Sequence, residues 1–231
     1  WNLLQANIHH PEIAPGVVIA SPSKTDPNYF FHWVRDAGVT MEAWVRAYAN
    51  ATSTNKAYLA DRINKWIGIE SQFQSLNNPS GGFGEPKFNV DGTAFWGPWG
   101  RPQNDGPAIR ASTMSLYSLI LINEGKIDFV RTNLYCAQLP STCPIKRDLE
   151  YVAHHWREHS FDLWEEVKGQ HFYNLMVQRK SMLIGADLAE ILGDKGASAF
   201  YRSQVIQMEI ALRTHINNQR GLIEPTMNQS D

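Results

Sequence analysis

The sequence predicts an all-α fold, and three observations carry that reading. Apolar residues recur with a period near 3.6 in segment after segment, none shows the alternation of a half-buried strand, and the helical segments fall into pairs around one long irregular stretch. Pairs of helices joined in this way fit a toroid of helical hairpins better than a four-helix bundle, whose connections are short. All 231 residues read as a single domain, because no linker or low-complexity tract divides them.

The elements follow in order. The opening stretch, rich in Pro, Ser and Gly, predicts irregular chain around one strand-like piece, Val17-Val18-Ile19-Ala20. Over residues 31–50, Val34, Ala37, Met41, Trp44, Val45 and Tyr48 form one stripe of a helix, with Asp36 and Glu42 off it. A second helix is expected over 55–76, with Tyr58, Leu59, Ile63, Trp66, Ile67 and Phe73 inward, so that the two make a hairpin. Residues 77–106 then hold seven Gly and four Pro, with Phe83, Phe88, Phe95, Trp96 and Trp99 interleaved. A stretch of that length without periodicity inside a compact domain is more often functional than idle. Pro107 suits a first helical position, and residues 108–123 are apolar nearly all round, as in a buried helix ending at Gly125. A shorter helix is expected over 128–134. Pro144 opens the next, with Leu149, Val152, Ala153 and Trp156 inward. Residues 159–169 break the pattern, and helices resume over 172–192 and 197–217.

Composition narrows the partners. With 21 basic against 23 acidic residues, a formal charge of −2, there is no basic field to favour nucleic acid. No run approaches the roughly 20 apolar residues needed to span a bilayer, so no membrane partner is expected. Aromatic residues make up 11% of the chain, several beside charged residues or Gly; their apolar faces and polar edges suit sugar rings, although they serve equally as core filler. Cys136 and Cys143, close together around Pro140, are expected to form a disulfide, since a metal site would want further ligands nearby. Neither a metal nor another cofactor is expected. Asn50-Ala51-Thr52 and Asn228-Gln229-Ser230 match the glycosylation sequon, which with the disulfide leans towards the secretory route, secreted or vacuolar. The opening Trp1-Asn2-Leu3 has no basic region followed by an apolar core, so any signal peptide is expected to be removed or to lie outside this sequence.

Three polar clusters interrupt the helices. In Phe31-His32-Trp33-Val34-Arg35-Asp36, Asp36 either complements a helix dipole or serves a ligand. Gly97-Pro98-Trp99-Gly100-Arg101-Pro102-Gln103-Asn104-Asp105-Gly106-Pro107 combines a fixed backbone with directional donors and acceptors, a mixture that a plain surface turn does not need. In Asp162-Leu163-Trp164-Glu165-Glu166, adjacent carboxylates beside a Trp favour a raised pKa for one Glu, as a general acid at a glycosidic oxygen requires; the alternative is a solvated helix start.

These clusters, together with Ser21-Pro22-Ser23, Tyr29-Phe30 and Gly84-Glu85-Pro86-Lys87-Phe88-Asn89-Val90-Asp91, resemble in order and approximate spacing the glucoamylases of glycoside hydrolase family 15, yeast and other fungal enzymes above all. The resemblance covers nearly the whole chain. It implies part of an (α/α)6 barrel of twelve helices and an exo-acting hydrolase that releases β-D-glucose, with inversion and without a metal, from the non-reducing ends of α-1,4-glucans such as starch, glycogen and maltooligosaccharides. Position by position, Glu165 matches the general acid; Trp33, Arg35, Asp36 and Trp99 match pocket residues; Arg101, Asp162, Trp164 and Glu166 match positions near the first two sugar sites. The second carboxylate, which activates water, has no matching motif after Glu166, as Glu190, Glu209 and Glu224 lie in ordinary contexts. The chain therefore resembles the N-terminal half of the family's catalytic domain, with its own hydrolysis expected to be absent and inner faces around Leu116, Leu119, Ile120, Leu183 and Leu188 expected to be exposed. The full-length protein is expected to be a monomer. The alternatives are a silent glucan-binding or regulatory module, and another glycosidase of the same architecture such as a trehalase.

Overall fold

The computed structural model of the protein describes residues 2–228. The chain begins with a short helix α1 (Asn2–Ala6) and an irregular segment in which Val17, Val18 and Ile19 are buried without forming a strand. These three are held from the side: the Val18 N–H donates to His32 Nδ1 at 3.1 Å and the Ile19 N–H to the Asn7 carbonyl at 3.0 Å. A two-residue strand β1 (His32–Trp33) leads straight into α2 (Val34–Ala49), followed by α3 (Ser53–Phe73). The stripe expected on α2 is the buried face. Helix α2 starts at Val34 and not at residue 31, because His32 and Trp33 pair in antiparallel fashion with β2 (Lys87–Phe88) across the long irregular stretch. On α3, Tyr58 departs from the expected inner face: it is exposed, and its hydroxyl meets His9 Nε2 at 2.6 Å.

Helix α4 (Gly106–Asn123) is buried on nearly every side. The helix expected over 128–134 is instead a single turn, α5 (Ile127–Phe129), running into a π-helical turn, Val130–Tyr135, which ends where Cys136 takes φ 40°. Cys136 and Cys143 are joined by a disulfide with Cα atoms 5.4 Å apart, which closes the loop before α6 (Pro144–His155). Short strands β3 (Ser160–Phe161) and β4 (Lys168–His171) fill the break in periodicity and lead to α7 (Phe172–Leu192) and α8 (Lys195–Thr214). A hairpin of β5 (Ile216–Asn217) and β6 (Leu222–Ile223) follows, and β7 (Thr226–Met227) returns to pair with β4.

The long helices form two layers. Helices α2, α4 and α7 lie side by side in one row, while α3 packs on α2, α6 on α4 and α7, and α8 on α7. Along the row the helices run the same way. Gly106 at the start of α4 lies against Val34 at the start of α2, and farther along both helices the Thr113 hydroxyl donates to the Gly38 carbonyl at 3.0 Å. Gly38 permits that approach, since a Cβ there would come within 2.8 Å of Ile109. Likewise the Gln178 amide, near the start of α7, donates to the Asn104 carbonyl just before α4 at 3.1 Å. All three helices therefore begin at one end of the molecule, where the irregular segments gather. Of the inner-face residues expected to be exposed, Leu188 is fully buried, because α7 is packed against both α4 and α8; Leu116, Leu119, Ile120 and Leu183 are half-buried.

A buried polar network crosses both layers. Arg110 of α4 holds Asp148 of α6 with two hydrogen bonds, 2.7 and 2.6 Å, and Glu70 of α3 with a third at 2.9 Å. Glu70 also accepts from Trp66 Nε1 at 2.8 Å and from His32 Nε2 at 3.0 Å. Because Nδ1 of His32 accepts from the Val18 N–H, the ring proton is assigned to Nε2. Burial opposes ionisation of Glu70, but His32 and Arg110 outweigh it and hold the carboxyl below its usual range.

Candidate functional site

The site lies where the three row helices begin. A cleft of about 330 Å³ is lined by Ala20, Tyr29, Trp33, Arg35, Asp36, Leu163, Trp164 and Glu165, so residues far apart in sequence meet there. Trp33, Arg35 and Asp36 come from the junction of β1 and α2, Leu163 to Glu165 from the turn between β3 and β4. The intervening loop of residues 95–105 supplies the support behind them.

Glu165 occupies the left-handed region at φ 65°, a conformation that costs a non-glycine residue about 1 kcal/mol or more and persists only where its surroundings fix it. Asp162 fixes the turn. Its Oδ1 accepts the N–H groups of Glu166 and Val167 at 2.8 and 3.0 Å, and its carbonyl accepts the Glu165 N–H at 3.0 Å. Burial works against the Asp162 charge, yet these amides prevail and keep its carboxyl below the usual range. At the tip of the turn the Glu165 side chain is caught by two donors on one oxygen: Trp33 Nε1 at 2.8 Å and Gln103 Nε2 at 2.9 Å both reach Oε1. Arg35 Nη2 stands 3.7 Å from the same oxygen.

Arg35 is the hub on the other side. Its Nη1 donates to Asp105 Oδ2 at 2.7 Å and to Gln103 Oε1 at 3.0 Å, and its Nε lies 3.9 Å from Asp36. Burial disfavours the guanidinium charge, but Asp105 beside it more than compensates and raises its pKa. Gln103 thereby bridges base and acid, accepting from Arg35 and donating to Glu165. Partial burial raises the Asp36 carboxyl above its usual range; Arg35 opposes this, and the neighbouring carboxylates of Asp105 and Glu165 add to it. Tyr173, at the start of α7, is pushed up to about 12 by burial and by Asp105.

The other expected site residues are placed differently. Arg101 turns inward: its Nε donates to both oxygens of buried Glu85 at 2.8 Å, while Nη1 and Nη2 hold the carbonyls of Gly97 and Phe95 at 3.0 and 2.9 Å, so it shapes the loop that carries Trp99. Trp99 packs edge-on to Trp33 at 5.7 Å between ring centres. Trp164 lines the cleft but is 75% exposed, so it does not create the low polarity expected beside the two Glu residues; the surroundings of Glu165 come from Trp33 and the loop of Gln103. Glu166 is exposed and does not line the cleft. Among the described residues no cluster of His, Cys, Asp and Glu could hold a metal ion, and no helix is long and apolar enough to cross a membrane.

Of the two glycosylation sequons, Asn50 and Thr52 are exposed, while Gln229 and Ser230 of the second lie outside the described residues. Sequence reasoning marked the Gln and Asp of the 97–107 cluster as directional groups without giving Gln103 or Asp105 a partner, and it passed over Lys87, although that residue stands in a quoted motif. Lys87 is buried, with its ammonium over four rings: Trp99 at 3.5 Å, Phe31 at 4.0 Å, Phe95 at 4.3 Å and Trp33 at 4.5 Å. Burial pulls its pKa down to about 8, with Glu165 opposing and Arg101 reinforcing the shift. The unfolded chain binds this proton more tightly, so the group's contribution to stability is level below about pH 8 and rises from there to about 10.5, where the unfolded Lys also loses its proton. Denaturant midpoints measured from pH 7 to 10 should show that rise in the wild type and lose it in Lys87→Met. Parallel profiles would mean that the rings hold the charge against burial.

Fold and site together define a member of the α/α-barrel class. The sequence profile of glycosyl hydrolases family 15 matches residues 1–229. A glucoamylase of Blastobotrys adeninivorans is 43% identical over 221 residues, which are 94% of this chain and 35% of that protein. The family 15 glucoamylase of Hypocrea jecorina superposes with a TM-score of 0.90 at 33% identity, over 100% of this chain and 38% of that one. The Saccharomycopsis fibuligera glucoamylase gives 0.86 at 34% identity, over 97% and 50%. The chain belongs to glycosyl hydrolase family 15, and it spans between about a third and a half of the length of these relatives.

Proposed function

We propose that the protein is an exo-acting, inverting glucan 1,4-α-glucosidase that releases β-D-glucose from the non-reducing ends of starch, glycogen and maltooligosaccharides, with Glu165 as general acid. The observation that carries this reading is Glu165 itself: a carboxyl group on the wall of the cleft, fixed by Trp33 and Gln103 and faced by Arg35 and Asp36. In this reading Glu165 protonates the glycosidic oxygen as an oxocarbenium-like transition state forms. Arg35 and Asp36 grip the hydroxyls of a terminal glucose with charge-assisted hydrogen bonds, so only a chain end fits, and Trp33, which lines the cleft, meets the ring, with Trp99 packed behind it and outside the cleft lining.

Inversion requires a second carboxylate about 6.5–9.5 Å from the first, with room for a water between them. Glu209 is paired with Arg179 at 2.5 Å, Glu224 with Arg220 at 3.3 Å, and Glu190 is exposed late on α7; none lines the cleft. We place the water-activating base outside these 231 residues, so that the chain by itself binds glucan without turning it over. The full-length protein is then a secreted or vacuolar monomer acting on α-glucan, with no nucleic acid or membrane partner and no cofactor.

The test is to follow the anomer released from maltose and maltotriose by the full-length protein, using proton NMR before mutarotation. β-Glucose as the first product is expected. The α-anomer would overturn inversion, cleavage of trehalose in preference to maltose would favour the trehalase reading, and binding without any glucose would favour the silent module.

A further inference from the structure

We propose that Tyr151 of α6 is a positioning residue for Glu165, acting through Asn104 on the Gln103 amide that holds the acid. This rests on the reading of Glu165 as the general acid. The loop ahead of α4 carries Gln103, Asn104 and Asp105 in succession. Gln103 donates to Glu165 and accepts from Arg35, Asp105 accepts from Arg35, and Asn104 between them is buried and does not line the cleft.

Asn104 ties this loop to the helices behind it. Its Oδ1 accepts from the Tyr151 hydroxyl at 2.9 Å, and its carbonyl accepts from the Gln178 amide of α7 at 3.1 Å. Its Nδ2 has no hydrogen-bond partner among the described residues, so the Tyr151 hydroxyl is what holds the side chain. The Gln103 N–H donates to the Gly84 carbonyl at 2.9 Å. A Cβ at Gly84 would come within 2.9 Å of the Tyr151 hydroxyl and 3.0 Å of Asn104 Oδ1, so the close approach of these segments needs glycine there.

The Tyr151 ring stacks on Phe83, with centres 5.4 Å apart, and on His155 at 4.3 Å, which fixes the direction of its hydroxyl. Burial, reinforced by Glu158 and Asp148, pushes the phenol above its usual range, so it stays a donor. All these contacts are made between residues of the two layers, and none involves the half-buried inner face at Leu116, Leu119 and Ile120.

Losing the hydroxyl leaves a buried amide without a hydrogen bond, a costly state that the loop relieves by shifting. Asp105 resists the shift, because its carbonyl accepts the Ile109 N–H at 3.0 Å at the start of α4, and Arg35 therefore keeps its partner. Gln103 lies outside the helix, and the other donation of its amide, to the Gly100 carbonyl at 3.1 Å, is made within the same loop. The shift falls on the bond to Glu165, which is felt in turnover more than in binding.

The test is steady-state kinetics of the full-length protein on maltose with Tyr151→Phe, which keeps the ring and removes only the hydroxyl. kcat should fall about tenfold with KM within about twofold of the wild type, inside the roughly 10²-fold that a misplaced catalytic group can cost. In a Gln103→Ala background, where the bond to Glu165 is already gone, Tyr151→Phe should change kcat by less than about twofold. A further loss of about tenfold in that background would overturn the proposal, because the two residues would then act independently, and so would an unchanged kcat in the single variant. Asn104→Ala breaks the same bond from the other side and must reproduce both results, which keeps the test open if Tyr151→Phe does not fold. Glu165→Gln in the same assay separates this role from the assignment of the acid. If Glu165→Gln keeps wild-type turnover, both fall; if it loses turnover while Tyr151→Phe and Gln103→Ala are additive, only the role of Tyr151 falls.

Discussion

Glu165→Gln, introduced into the full-length protein, should lower kcat on maltose by roughly 10²–10⁴-fold, the usual contribution of a positioned acid, while the dissociation constant for glucan stays close to that of the wild type. The geometry makes this a clean substitution. Both donors meet Oε1, so the amide oxygen of Gln can take that place and keep Trp33 and Gln103 satisfied, leaving the NH2 group where Oε2 stood. Only the transferable proton is lost. If Glu166→Gln lowered kcat more than Glu165→Gln, the acid would have been assigned to the wrong member of the pair, against the exposure of Glu166 and its absence from the cleft.

The largest stability effect is expected at Arg110, which is buried and does not line the cleft. Arg110→Met leaves the buried carboxylates of Glu70 and Asp148 without their shared cation, and breaking a buried pair in this way typically costs about 3–5 kcal/mol. Urea unfolding of the wild type and the variant measures the difference. Adding Glu70→Gln and Asp148→Asn should recover part of it, because the uncompensated charges are then gone. A loss below about 1 kcal/mol for Arg110→Met alone would show that the network contributes little beyond packing. His32 ties this network to the cleft, since the residue after it is Trp33, whose indole N–H holds Glu165.

The sequence made the helices legible because their information is local. The apolar stripe of Val34, Ala37, Met41, Trp44, Val45 and Tyr48 faces inward, and the all-round apolar character of α4 matches a helix buried on most sides, with Leu116, Leu119 and Ile120 half-buried. Boundaries failed where a distant segment competes for the backbone: residues 31–33 fit a helix by periodicity, but Lys87 and Phe88 claim His32 and Trp33 as strand partners. Val17, Val18 and Ile19 read as a strand because burial on both sides requires apolar residues whatever the backbone pairing. In the site, Glu165, Arg35 and Asp36 were legible as motif members. The roles of Gln103 and Lys87 were not, since they arise from contacts across 62 residues to Glu165 and from four rings scattered between residues 31 and 99. No period or short spacing encodes such a meeting.

The common direction of α2, α4 and α7 has an electrostatic consequence. Their first turns, at Val34, Gly106 and Phe172, carry N–H groups without intrahelical partners, although the Val34 and Phe172 N–H groups donate to the Pro86 and Pro225 carbonyls at 3.0 and 2.9 Å, and each helix beginning behaves as roughly half a positive charge. Three such ends face a region that holds Asp36, Asp105 and Glu165, with Arg35 and Lys87 as the nearby cations. Side-chain charges alone would leave that region net negative and self-repelling when all are ionised. The backbone supplies the missing positive potential, at about 0.3–1 kcal/mol for each carboxylate near a helix start, without placing another cationic side chain in the cleft. Reversing any one of the three helices would therefore disturb the ionisation of all three acids, even with every side chain kept in place.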